Sequence, residues 1–101
     1  MQTAPVSDRA KIQDDIAAFL QARSDFFNAP CGILCGLERF PKGGAARVIT
    51  FGVARLLDAR VCILSPRNIT ITARGAYGHS LAGSYSCVDS VKAALSSVAG
   101  W

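Results

Sequence analysis

At 101 residues and 10.6 kDa the chain suffices for one hydrophobic core and falls short of two. Half of its residues are apolar and 18% are charged, with mean hydropathy +0.29, so burial can offset the entropy of ordering and intrinsic disorder is excluded. No apolar run reaches 18 residues, and the polar stretch from Met1 to Asp15 lacks a basic start followed by an apolar segment, which leads to the expectation of a cytoplasmic protein without membrane span or secretory signal.

The first expected element is a helix. Ser7 suits an N-cap and Asp8 the positive helix end, while Ile12, Ile16, Phe19, Leu20 and Phe27 recur at helical spacing. Asp14, Gln21 and Asp25 fall on the opposite side, and Asn28-Ala29-Pro30 supplies a stop, because a residue before proline resists the α conformation. The period then changes. Gly32 to Phe40, with Ile33, Leu34 and Leu37, reads as a strand followed by a turn at Pro41-Lys42-Gly43-Gly44. Arg47 to Arg55 is a clearer strand with Ile49, Phe51 and Val53 on one face and the smaller Thr50, Gly52 and Ala54 on the other.

Val61 to Leu64 is a short apolar run ending in the turn Ser65-Pro66-Arg67-Asn68. Ile69 to Arg74 alternates, with Ile69, Ile71 and Ala73 inward and Thr70, Thr72 and Arg74 outward, as an antiparallel strand with one wet face requires. Gly75 to Ser86 holds three glycines and three serines and fits either a loop or an edge strand through Leu81 to Tyr85. Ser86-x-x-Asp89 has the form of a capping box with aspartate in place of glutamate, and Val88, Val91, Leu95 and Val98 follow at helical spacing. The terminal Trp101 is a candidate hydrophobic latch. These elements predict an α+β fold for residues 1–101: a single two-layer domain with an N-terminal helix, a three- to four-stranded antiparallel sheet and a C-terminal helix.

Few side chains assemble into chemistry. Gly78-His79-Ser80-Leu81-Ala82-Gly83 has the outline of a nucleophile elbow, but Ala82 replaces the last glycine and the single histidine precedes the serine as its sequence neighbour. Cys31, Cys35, His79 and Cys87 are the weak candidates for a metal site, since zinc takes four soft ligands; their spacing lacks paired Cys-x-x-Cys knuckles, and no metal or other cofactor is expected. The four cysteines, Cys62 included, read most simply as inert thiols. Of the seven acids, Asp8, Asp14, Asp15 and Asp25 fall on the first helix, mostly on its expected solvated face, while Glu38, Asp58 and Asp89 are scattered, and neither a phosphate-binding loop nor a dinucleotide fingerprint is present.

One asymmetry stands out. Between residues 39 and 74, Arg39, Lys42, Arg47, Arg55, Arg60, Arg67 and Arg74 face the single acid Asp58, which concentrates the chain's positive charge in the expected sheet. These seven residues and Trp101 are the candidate partner-binding set. The expected function is a non-catalytic interaction or structural subunit, docking into a larger assembly or a homo-oligomer through apolar surface and arginines. The alternatives are a nucleic-acid-binding module using the basic region, and a small thiol-dependent or zinc-stabilised protein.

Overall fold

The computed structural model describes residues 5–23, 29–53, 56–75 and 80–99. The chain runs α1 (Pro5–Gln21), β1 (Cys31–Arg39), β2 (Ala45–Val53), β3 (Leu56–Ser65), β4 (Asn68–Gly75), β5 (Ser80–Tyr85) and α2 (Val88–Ala99). The strands form one antiparallel sheet in sequence order, β1-β2-β3-β4-β5. The fold is α+β, with both helices on one face of the sheet.

Strand alternation creates that face. Ile49, Phe51 and Val53 of β2 stand beside Ala59, Val61 and Ile63 of β3, and these beside Ile69, Ile71 and Ala73 of β4. The resulting apolar surface meets Ile16 and Leu20 of α1 and Val91 and Leu95 of α2 in a single cluster. Ile16, Leu20, Ile49, Val61, Ile63, Ile69, Ile71 and Val91 are completely inaccessible to solvent. Each such side chain contributes roughly 1.5–3 kcal/mol of transfer free energy, which makes this cluster the main source of stability. The helices are also tied to each other: Lys92 Nζ lies 2.9 Å from Asp15 Oδ1 and 5.7 Å from the centre of the Phe19 ring.

The sheet has five strands, one more than the sequence pattern supports at most. The extra strand is β5, from the segment compatible with either loop or strand; its Gly83 and Ala82 are too small to signal an inward face, and pairing with Ile71 and Thr72 of β4 defines it instead. β3 is also longer than the Val61–Leu64 run, because Asp58 and Arg60 belong to it and project to the uncovered face.

Helix limits differ as well. α1 begins at Pro5, two residues before the expected cap at Ser7; a proline in the first turn lacks an N–H that would have no helical partner there. It ends at Gln21, where Arg23 N bonds Leu20 O at 3.1 Å in a tightened last turn. Asp25, Phe27 and Asn28 lie outside the described residues. α2 begins at Val88, with Cys87 in the capping position expected for Ser86: the Cys87 carbonyl accepts from Val91 N, and its thiol lies 3.1 Å from Ser90 Oγ.

Candidate functional site

Among the described residues, no helix covers the sheet face opposite α1 and α2 or the outer edge of β1. On the uncovered face, Thr50, Arg60, Thr72, Arg74 and Ala82 line a concavity of about 570 Å³. Its charges are already matched. Arg60 makes a two-oxygen ion pair with Glu38, and Arg74 Nη2 stands 3.6 Å from Asp58 Oδ2. Glu38 is opposite Ala46 and Arg60 is opposite Thr50, so this pair bridges β1 and β3 diagonally over Val48. That bridge accounts for Val48 being only 8% exposed on a face that carries no helix. The concavity is bordered by two threonine hydroxyls and two ion pairs, without a nucleophile and base in contact among the described residues.

β1 differs from every other strand. Seven of its nine residues are exposed and the other two, Ile33 and Glu38, are half-buried. The three exposed large hydrophobic residues among those described all lie on β1 or directly after it: Leu34 at 68%, Leu37 at 44% and Phe40 at 36% exposure. A nine-residue edge strand with no proline and charges only at its end is an open template for another strand.

The hairpin that follows fixes which backbone groups are free. Phe40 N donates to Gly44 O and Gly43 N to Phe40 O, with Pro41 at the second position of the turn. Gly43 and Gly44 have φ of +94° and +87°, values that disfavour any side chain. Because Phe40 and Gly44 form a hydrogen-bonded pair, alternation along the ladder directs the N–H groups of Glu38 and Gly36 towards β2 and those of Arg39, Leu37 and Cys35 outwards.

The N-terminal half of the strand is irregular. Gly32 adopts φ +63° and the register shifts between Cys31 and Leu34, a bulge that confines the regular free edge to Leu34–Phe40.

α1 holds this edge strand from above. Gln13, the one buried polar side chain among the described residues, donates from Nε2 to Gly36 O at 3.0 Å and to Val48 O at 2.9 Å, joining β1 to β2 across the glycine. Gln13, Ile16 and Leu20 share one helical stripe, so the spacing places Gln13 inward although its side chain is polar. One turn earlier, Arg9 Nη1 donates to Ala45 O and Leu64 O.

The expected arginine set is spread over the domain. Arg39 ends β1 and Lys42 lies in the β1–β2 turn, with Arg67 in the β3–β4 turn at the same end of the sheet. Arg47 is on the helix-covered side, opposite Ile63, and Arg60 and Arg74 are on the uncovered face in their ion pairs. Arg55 and Trp101 lie outside the described residues.

The metal candidates are divided. Cys31 and Cys35 are exposed on β1, and Cys87 follows β5 at the other edge. Four strand intervals of about 4.8 Å separate the edges by roughly 19 Å, far beyond shared coordination. Among the described residues no three histidines, cysteines or acids lie together, and His79 is not among them. Burial, and then the Asp14 carboxylate, push the Cys35 thiol up, and burial pushes Cys62 up. Hydrogen bonding by Ser90, side chain first, pulls Cys87 down. No helix among the described residues is long and apolar enough to cross a membrane. Comparison of the chain with family models, with curated proteins and with solved structures finds no match.

Proposed function

We propose that the protein is a non-catalytic interaction domain whose β1 edge pairs with an extended strand of another polypeptide. The observation that carries this reading is the gathering of Leu34, Leu37 and Phe40 on one regular edge whose outward backbone groups have no partner strand among the described residues. An unpaired strand edge offers main-chain hydrogen bonds, and alternate side chains on its two faces supply selectivity. The matched charges of the uncovered face agree with a scaffold role, because Arg60 and Arg74 are engaged within the domain.

Leu37→Pro tests this reading with little cost to the domain. The Leu37 N–H points away from β2, so proline removes no bond of the existing ladder and blocks only an incoming strand. Tagged chain in an extract of its native cells is expected to sediment as a complex heavier than 10.6 kDa, and the Leu37→Pro chain at its single mass. Wild-type chain sedimenting alone at that mass contradicts the proposal.

A further inference from the structure

We infer that the strand received by β1 is β1 of a second copy, paired antiparallel about a two-fold axis at Leu37, so that two sheets join into one of ten strands. This inference rests on the reading of β1 as a docking edge and names its occupant. The bulge at Gly32 limits regular pairing to Leu34–Phe40, and the middle residue of that span is Leu37. A symmetric antiparallel pairing of the span therefore sets Leu37 against its own copy, Leu34 against Phe40, Cys35 against Arg39 and Gly36 against Glu38.

Three independent features fit that register. First, the outward N–H and C=O groups belong to residues 35, 37 and 39, and the register matches these residues only with one another, as hydrogen-bonded pairs. The even-numbered residues then fall in the closer, non-hydrogen-bonded positions, where Leu34 meets Phe40. Second, all three exposed large hydrophobic side chains acquire apolar partners: Leu34 and Phe40 on the uncovered face, Leu37 and its copy on the helix side. Centring on Cys35 instead would oppose Leu34 to Gly36 and leave Phe40 with no residue opposite it in the strand.

Third, the charges are complementary. Asp14 follows Gln13, whose side chain bonds the carbonyl of Gly36 beside Cys35, so α1 carries Asp14 close to Cys35, the residue set opposite Arg39 of the second copy. Asp14 and Arg39 each form no ion pair among the described residues, and the axis brings each to the other twice. Glu38 meets glycine, so like charges are not opposed directly. Space is adequate as well. α1 packs across β1, β2 and β3 and so is centred over β2, which puts two copies three strand intervals or roughly 14 Å apart, wider than the 8–10 Å of packed helices. Side chains from Asp14 and Arg39 fill such a gap.

The purified chain is expected to give twice its single mass by light scattering and sedimentation equilibrium. Leu37→Asp, which opposes two carboxylates on the axis, and Leu37→Pro should both give the single mass with an unchanged far-UV circular dichroism spectrum. Arg39→Glu is expected to raise the dimer Kd about tenfold through its two symmetric contacts with Asp14, and adding Asp14→Arg to recover it.

Purified chain of single mass at every accessible concentration overturns the inference. So does a dimer that both Leu37 variants leave intact, or an Arg39→Glu defect that Asp14→Arg does not repair. A single mass in pure form together with a Leu37-dependent complex in the extract would assign the edge to a different chain, leaving the interaction reading in place while this one fails.

Discussion

The two edges of the sheet handle their unpaired backbone in opposite ways. β5 has six residues against nine for β1, and after Leu81 it continues through the small Ala82, Gly83 and Ser84 to Tyr85. Tyr85 lies back over Gly83: a methyl at that glycine would sit 2.8 Å from the tyrosine hydroxyl, and the ring packs against the core cluster. β5 is thus short and closed on its helix side by its own aromatic residue. β1 carries Leu34, Leu37 and Phe40 outward and, among the described residues, is hydrogen-bonded from above by Gln13. The difference teaches that protection of a sheet edge is selective here: one edge is blunted, and among the described residues the other is interrupted only by its bulge.

The largest expected effect separates the strands between these edges from β1 itself. Ile71→Ala in the fully buried centre should cost about 2–5 kcal/mol in denaturant unfolding, whereas Thr72→Ala, one residue away and exposed, should change stability by less than about 0.5 kcal/mol. Leu34→Ala should resemble Thr72→Ala for a chain kept dilute and lower unfolding stability only at concentrations where copies associate. Similar losses at Ile71 and Leu34 in dilute solution would erase the distinction between core and edge.

Next in size is the clamp on β1. Gln13→Ala removes both bonds to the Gly36 and Val48 carbonyls and should cost about 1–3 kcal/mol, with amide exchange rising first along β1. Uniformly faster exchange across all five strands would show that Gln13 supports the whole core instead. The Glu38–Arg60 pair should matter less, because its side chains are 38% and 43% exposed. A double-mutant cycle is expected to give a coupling of about 1 kcal/mol or less.

The thiols give the smallest energetic signal and a clear order. Alkylation follows the thiolate, whose fraction at a fixed pH grows as the pKa falls. Cys87, exposed and lowered by Ser90, should therefore react at lower pH than Cys35, which burial and Asp14 raise. Ser90→Ala should shift the Cys87 profile to higher pH, and an unchanged profile would remove the hydrogen bond as its cause.

Much of the architecture is legible in residue pattern because burial there is one-sided. The alternation at Ile69, Ile71 and Ala73 and the helical stripe at Ile16 and Leu20 each mark a face that has to be covered. β5 is not legible, since Ala82 and Gly83 carry almost no hydrophobic signal and the strand exists through its pairing with β4. Arg60 and Arg74 are visible as charges, but their neutralisation by Glu38 and Asp58 depends on register, which a linear reading does not contain. Leu34 and Leu37 illustrate the same limit: their apolar character predicts a strand, while only strand order places that strand at an edge. Gln13 shares the spacing of a core stripe, so a polar residue at a core position was the available sign of a buried hydrogen-bond donor.

Amide hydrogen exchange along β1 tests the joining of two copies most directly, because it reads the backbone groups that would form the new ladder. The account predicts that the outward amides of Cys35, Leu37 and Arg39 become protected as protein concentration rises, while those of Gly36 and Glu38 are protected throughout and β5 stays insensitive to concentration. Rapid exchange at residues 35, 37 and 39 at every concentration, or equal gains along both edges, would contradict it.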